Sequence, residues 1–127
     1  MISVLPIKDA EELSALYNKC NMPLDINSGA TVARSDDTVL GACLYTLTEE
    51  KIVINLLYPT DDIMLADGIL RSALHVADFR GITSAFYSET APEQLFRTLD
   101  FIENEPEKSL KIHKLHESSC KCEKNNK

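Results

Sequence analysis

Near the C-terminus, His113, His116, Cys120 and Cys122 bring four nitrogen and sulfur ligands within ten residues of one another. Zinc accepts such a set at a tetrahedral site, and a flexible thiol pair also takes softer metals or exchanges disulfides. The spacing HxxHxxxCxC belongs to no standard zinc module, and a polar, solubilising tail with incidental cysteines is the plainer reading. A second set of donors is acidic: Thr60, Asp61 and Asp62 stand before a long apolar-periodic run that also contains Asp67. Carboxylates at a helix N-terminus stabilise it by about 0.3–1 kcal/mol each, so the trio reads as an ordinary helix start with Thr60 as N-cap. The same acids could instead fill the place of an anionic ligand or, with Asp67, hold a metal, although their spacing matches no calcium loop. Asn55, alone in the apolar run IVINLLYP, is either a satisfied core amide or a group facing a ligand cleft. Cys20 and Cys43 fall on apolar faces and read as packing residues, and His75 reads as a helix-surface or boundary histidine.

These residues must be positioned by the elements around them. Ile2, Val4 and Leu5 predict a short strand that stops at Pro6. Asp9 as N-cap and Glu12 three residues on make a capping-box pattern, and Leu13, Leu16, Tyr17 and Cys20 recur on one helical face. The run NMPLDINSG, from Asn21 to Gly29, reads as loop. Strands over 30–36 and 38–48 follow, joined by a tight turn at Asp36 and Asp37, with Gly41 predicting a bulge or a close backbone approach. Cys43 shares the side of the strand that Gly41 and Tyr45 occupy. The near-continuous apolar run after Lys51 predicts a fourth strand buried on both faces. Ala66, Ile69, Leu70, Ala73, Leu74 and Ala77 then form one helical stripe, ended by Gly81 as a C-terminal cap. A fifth strand over 82–88, a helix in APEQLFRTLDF with Pro92 in its first turn, and a last strand from Ser109 to Leu115 complete the chain. The result is an α/β fold of the α+β kind, a mixed sheet flanked by helices, over residues 1–115 with a polar cysteine-containing tail over 116–127.

This order resembles the GNAT superfamily of N-acetyltransferases over roughly residues 1–115. VLGACLYTL resembles the family's third strand with its recurrent Gly, LLYP before a long helix ending in RG resembles the cofactor-binding core, and LFRTLDF resembles the closing LYEKLGF segment. The resemblance implies a mostly antiparallel sheet and acetyl-CoA as cofactor. In the family the turn after the fourth strand reads Arg or Gln, two residues, Gly, one residue, Gly or Ala, and its amides hold the pyrophosphate. Counted from Pro59, Asp62, Leu65 and Asp67 occupy those three positions; a register slipped by one puts Asp61, Met64 and Ala66 there and restores only the last. Leu57, Tyr58, Ala66, Gly68 and Phe96 complete the cofactor-binding positions that the resemblance implies. In the closing segment Glu89 stands for the family's Asn, Pro92 for Ala, Phe96 for the Tyr that protonates the thiolate, and Asp100 for Gly. Phe96 has no proton to give, which leaves Tyr87 as the candidate acid and Glu89 as the candidate base toward an amine.

Two functions follow from this pattern. One is acyl-CoA-dependent N-acetyl transfer to a small-molecule or protein amine. The other is a GNAT-fold binding module that has lost its cofactor site, with self-association into a homodimer or metal capture by the tail among its roles. A net charge of −7 and a pI near 4.9 argue against nucleic acid and anionic membrane as partners. The N-terminal MISVLPIKDAEE has neither the basic start nor the apolar length of a signal or spanning segment, so a cytoplasmic protein with reduced thiols is expected.

Overall fold

In the computed structural model, which describes residues 2–115, β1 (Ile2–Pro6) and α1 (Ala10–Lys19) precede a meander of β2 (Ser28–Ser35), β3 (Thr38–Leu47) and β4 (Ile52–Tyr58). The long helix α2 (Ile63–Phe79) leads to β5 (Ala85–Tyr87), α3 (Glu93–Thr98), β6 (Ile102–Asn104) and β7 (Ser109–Leu110). The strands form one seven-stranded sheet in the order β1-β2-β3-β4-β5-β7-β6. Its pairings are antiparallel except that of β4 with β5. That pair is parallel because α2 provides the crossover such a pairing needs.

Alternation along the strands divides the core between the two faces. Cys43, Tyr45, Ile52, Ile54 and Leu57 pack with α2, Leu95, Phe96 and Phe101 on one side. Ala30, Val32, Ala42 and Leu44 meet Leu16 and Tyr17 of α1 on the other. All six residues of the α2 stripe are fully buried. Beyond the helix, Gly81 takes φ +80°, its amide donates to Asp78 O at 2.9 Å, and the Ile82 amide donates to Ala77 O at 3.0 Å. These two bonds satisfy carbonyls that the helix end would otherwise leave without partners.

Gly41 meets both expectations. The β2–β3 register shifts beside it, Ala33 pairing with Gly41 and Arg34 with Val39, so Leu40 is the extra residue of a bulge. A Cβ on Gly41 would stand 2.5 Å from Tyr58 O and 2.6 Å from Pro59 Cδ.

Several expectations are corrected. Glu12 does not close a capping box; it reaches across to Arg34, and the Asp9 carboxylate accepts from the Glu11 amide at 3.4 Å. The N-cap of α2 is Asp62, not Thr60. Likewise, Pro92 caps α3 instead of standing in its first turn. β4 is not buried on both faces, since Val53, Asn55, Leu56 and Tyr58 are half-buried. β5 has three residues instead of seven. The expected last strand shrinks to Ser109–Leu110, paired with an unanticipated β6 whose sequence, IEN, is too short and polar to show a period.

Candidate functional site

The site is built where β4 and β5 part. Their ladder runs from Ile52–Ala85 to Ile54–Tyr87, and the Ser88 amide adds a last bond to Ile54 O at 2.9 Å. Asn55 then bulges out of β4, with Tyr45 paired to Ile54 and Leu44 to Leu56 across it, so the strand bends. The chain after β5 reverses in a turn closed by the Ala91 amide on Ser88 O at 3.1 Å. Between Leu56–Tyr58 and this turn the sheet opens. The Asn55 side chain donates to Thr46 Oγ1 at 3.0 Å, so it is a satisfied amide, while its main-chain carbonyl accepts the Thr90 hydroxyl at 2.7 Å from across the opening. The Ser88 and Thr90 hydroxyls lie 2.9 Å apart.

Tyr87 lies beneath this region. Its ring is buried and packs on Phe96 with centroids 5.2 Å apart, and its hydroxyl donates to Glu93 Oε2 at 2.6 Å. Burial first, then the neighbouring carboxylate, pushes the Tyr87 hydroxyl up to about 12, and the same hydrogen bond holds Glu93 below the usual carboxylate range. Glu89 is exposed on the turn that follows β5. A groove of about 400 Å³ runs alongside, between the start of α2 and α3, lined by Thr60, Ile63, Pro92, Gln94, Leu95 and Thr98.

No known family profile matches the sequence. Nor is any curated protein significantly similar to it. Solved structures do match. A ribosomal-protein-alanine N-acetyltransferase from Brucella melitensis biovar Abortus 2308 superposes with a TM-score of 0.58 at 16% identity, over 78% of this chain and 90% of that one. A GNAT-family protein from Desulfovibrio desulfuricans gives 0.60 at 14%, over 83% and 87%. A GNAT-family acetyltransferase from Elizabethkingia anophelis, solved with acetyl-CoA bound, gives 0.54 at 12%, over 81% and 78%. The fold is that of the GNAT acetyltransferases.

Seen as a GNAT fold, the start of α2 departs from an anion cradle. Asp62 Oδ1 accepts the Leu65 amide at 3.2 Å and Asp62 O accepts the Ala66 amide at 3.0 Å. A side chain of this protein therefore already caps an amide that a phosphate would use, and exposed Asp61 adds a second carboxylate. Leu65 is half-buried at the family's middle Gly position, and Asp67 is paired with Arg71 at 3.0 Å. The groove is lined by no charged residue, whereas the helix start carries the carboxylates of Asp61 and Asp62, which do not fit a pyrophosphate.

The other expected cofactor positions are scattered. Leu57, Ala66 and Phe96 are buried in the core. Tyr58 is half-buried and packs with the α1 cluster; burial first and then Cys20 push its hydroxyl up to about 12. Gly68 is exposed, with open space where a Cβ would stand. Asp100, at the position of Gly in the resembled closing segment, takes φ +59°, a left-handed conformation that Asp tolerates better than most residues. Cys43 is buried, which pushes its thiol well up, and Cys20 is half-buried. His75 is exposed.

Among the described residues no group of three His, Cys, Asp or Glu could hold a metal ion, which removes the Asp61–Asp62–Asp67 site. His113 lies in an exposed turn and not in a strand, and His116, Cys120 and Cys122 fall outside the described residues. No helix among the described residues is long and apolar enough to cross a membrane.

Sequence reasoning missed three contacts: Asp62 on the Leu65 amide, Thr90 on Asn55 O, and Glu93 on Tyr87. The first had a signal, an Asx residue three positions before an apolar one at a helix start. The other two join residues distant in the chain or brought together by the strand-to-helix turn.

Proposed function

We propose that the protein is an N-acyltransferase that moves an acetyl group from a thioester of the acetyl-CoA class to an amine. The observation that carries this reading is the opening at Asn55. A strand that loses its neighbour inside a sheet leaves main-chain donors and acceptors for a linear, amide-bearing molecule to pair with. The Thr90 hydroxyl on Asn55 O marks the near end of that slot, and a separate uncharged groove lies between the start of α2 and α3.

The chain's own groups have limited but sufficient tasks, because transfer of this kind depends largely on positioning and on polarisation by main-chain amides. Glu89, exposed beside the opening, takes the proton from the incoming amine directly or through water. Tyr87 keeps its proton at neutral pH, since its hydroxyl is pushed up to about 12. Its one proton is given to Glu93 Oε2 at 2.6 Å, so it is no base, and it reaches a leaving thiolate only if that bond opens. The net charge of −7 favours the approach of cationic amines.

A thiol-release assay with acetyl-CoA and a panel of primary amines, including polyamines and lysine peptides, tests the reading. Amine-dependent release that falls at least tenfold in Glu89→Gln supports it; no release with any amine counts against it. A second reading, a GNAT-fold binding module without donor, draws on the Asp62 cap and on Phe96 in place of a phenol. It requires that acetyl-CoA produce no thermal stabilisation at millimolar concentration.

A further inference from the structure

The two halves of the donor site carry different chemistry. We infer that the donor is recognised through its neutral thioester arm and not through its phosphates, so that short pantetheine thioesters serve this protein as well as acetyl-CoA does. This rests on the acyl-transfer reading above and specifies its donor.

A helix start attracts phosphate when its amides are unclaimed and its field is positive. Here Asp62 claims the Leu65 amide at 3.2 Å and sets a full negative charge where the helix offers about half a positive one. Asp61, exposed one residue earlier, adds a second. Several of the chain's cations are paired with carboxylates of its own. Arg71 bonds Asp67 at 3.0 Å and lies 5.2 Å over the Phe101 ring. Arg97 of α3 holds Glu93 at 3.4 Å and also Glu105. Lys111 and Lys114 converge on Asp100 at 3.2 and 3.8 Å, beyond the other end of α3.

Nothing charged lines the groove itself: Thr60, Ile63, Pro92, Gln94, Leu95 and Thr98 offer apolar surface with hydroxyl and amide groups. Such walls suit a molecule of alternating methylene and amide groups. A pyrophosphate emerging from them would meet the two carboxylates of Asp61 and Asp62, which repel it.

Isothermal titration of the full chain with acetyl-CoA, S-acetylpantetheine and inorganic pyrophosphate tests the inference. The two thioesters are expected to bind within about threefold of each other, with pyrophosphate failing to displace either. Asp61→Asn combined with Asp62→Asn removes both charges while Asn retains the cap, and should tighten acetyl-CoA about fivefold with S-acetylpantetheine unchanged. Acetyl-CoA binding more than about tenfold tighter than S-acetylpantetheine, or displacement by pyrophosphate, overturns the inference and leaves acyl transfer standing. Failure of both thioesters to bind at millimolar concentration removes the acyl-transfer reading and this inference with it.

Discussion

The opening at Asn55 and the start of α2 are separated by a few residues of one strand, turn and helix, yet they are made in opposite ways. The opening is made by main chain: a bulge, a strand that stops, and a turn. Side chains can change around it while the hydrogen-bond pattern persists. The helix start depends on which groups reach its amides, and one carboxylate, Asp62, already accepts the Leu65 amide. Geometry set by backbone pairing is less sensitive to a single substitution than chemistry set by a side chain at an exposed end.

The severest way to break this contrast is to disturb what both regions share. Gly41→Val puts side-chain atoms where Tyr58 O and Pro59 Cδ already stand, 2.5 and 2.6 Å from a Cβ. The end of β4 cannot yield without moving α2, so a loss of about 3 kcal/mol is expected, measured by denaturant unfolding.

Alkaline titration examines the buried floor. Tyr17 and Tyr87 are both pushed up from 10.0 to about 12, with burial the largest cause. Their folded values lie above the unfolded ones, so their contribution to stability is complete below pH 10 and is lost as pH rises through about 12, because the unfolded chain releases its protons first. Unfolding midpoints should fall across that window. Glu93→Gln should bring the Tyr87 phenolate signal to lower pH, though not to the ordinary value, since burial remains.

At the helix start, Asp62→Ala should cost about 1 kcal/mol by losing the cap, and Asp62→Asn only a few tenths; thermal unfolding of the two variants separates cap from charge. The smallest effect is expected at Thr90→Val, which removes the hydroxyl from Asn55 O at an exposed site. A loss of about 0.5 kcal/mol would show the bond to be a light fastening, and thioester affinity that rises in the same variant would show that it opens to admit ligand.

Much of the fold was legible because its signals are periodic. The α2 stripe, the Gly81 cap, the β2–β3 turn and the close approach at Gly41 each follow from spacing or from one residue's backbone freedom, and the structure contains all four. β6 was not legible and β5 and β7 were legible in place but not in length, since two or three residues define no period and neighbouring strands hold them in place. Asp100 illustrates the middle ground, a non-glycine residue at φ +59° that only its place at the Gly of the resembled LYEKLGF segment marks.

For the site the division is sharper. The sequence by itself determined that acids, and no base or glycine, precede the long helix, and that Phe96 has no proton to give. Only the tertiary structure decided that Asp62 turns its carboxylate onto the Leu65 amide, that Asn55 is the extra residue at which the sheet opens, and that Tyr87 finds Glu93. Composition and local spacing fix the available charges and donors. Which amide a carboxylate reaches, and which strand loses its neighbour, depend on pairing between distant segments, information that no local window contains.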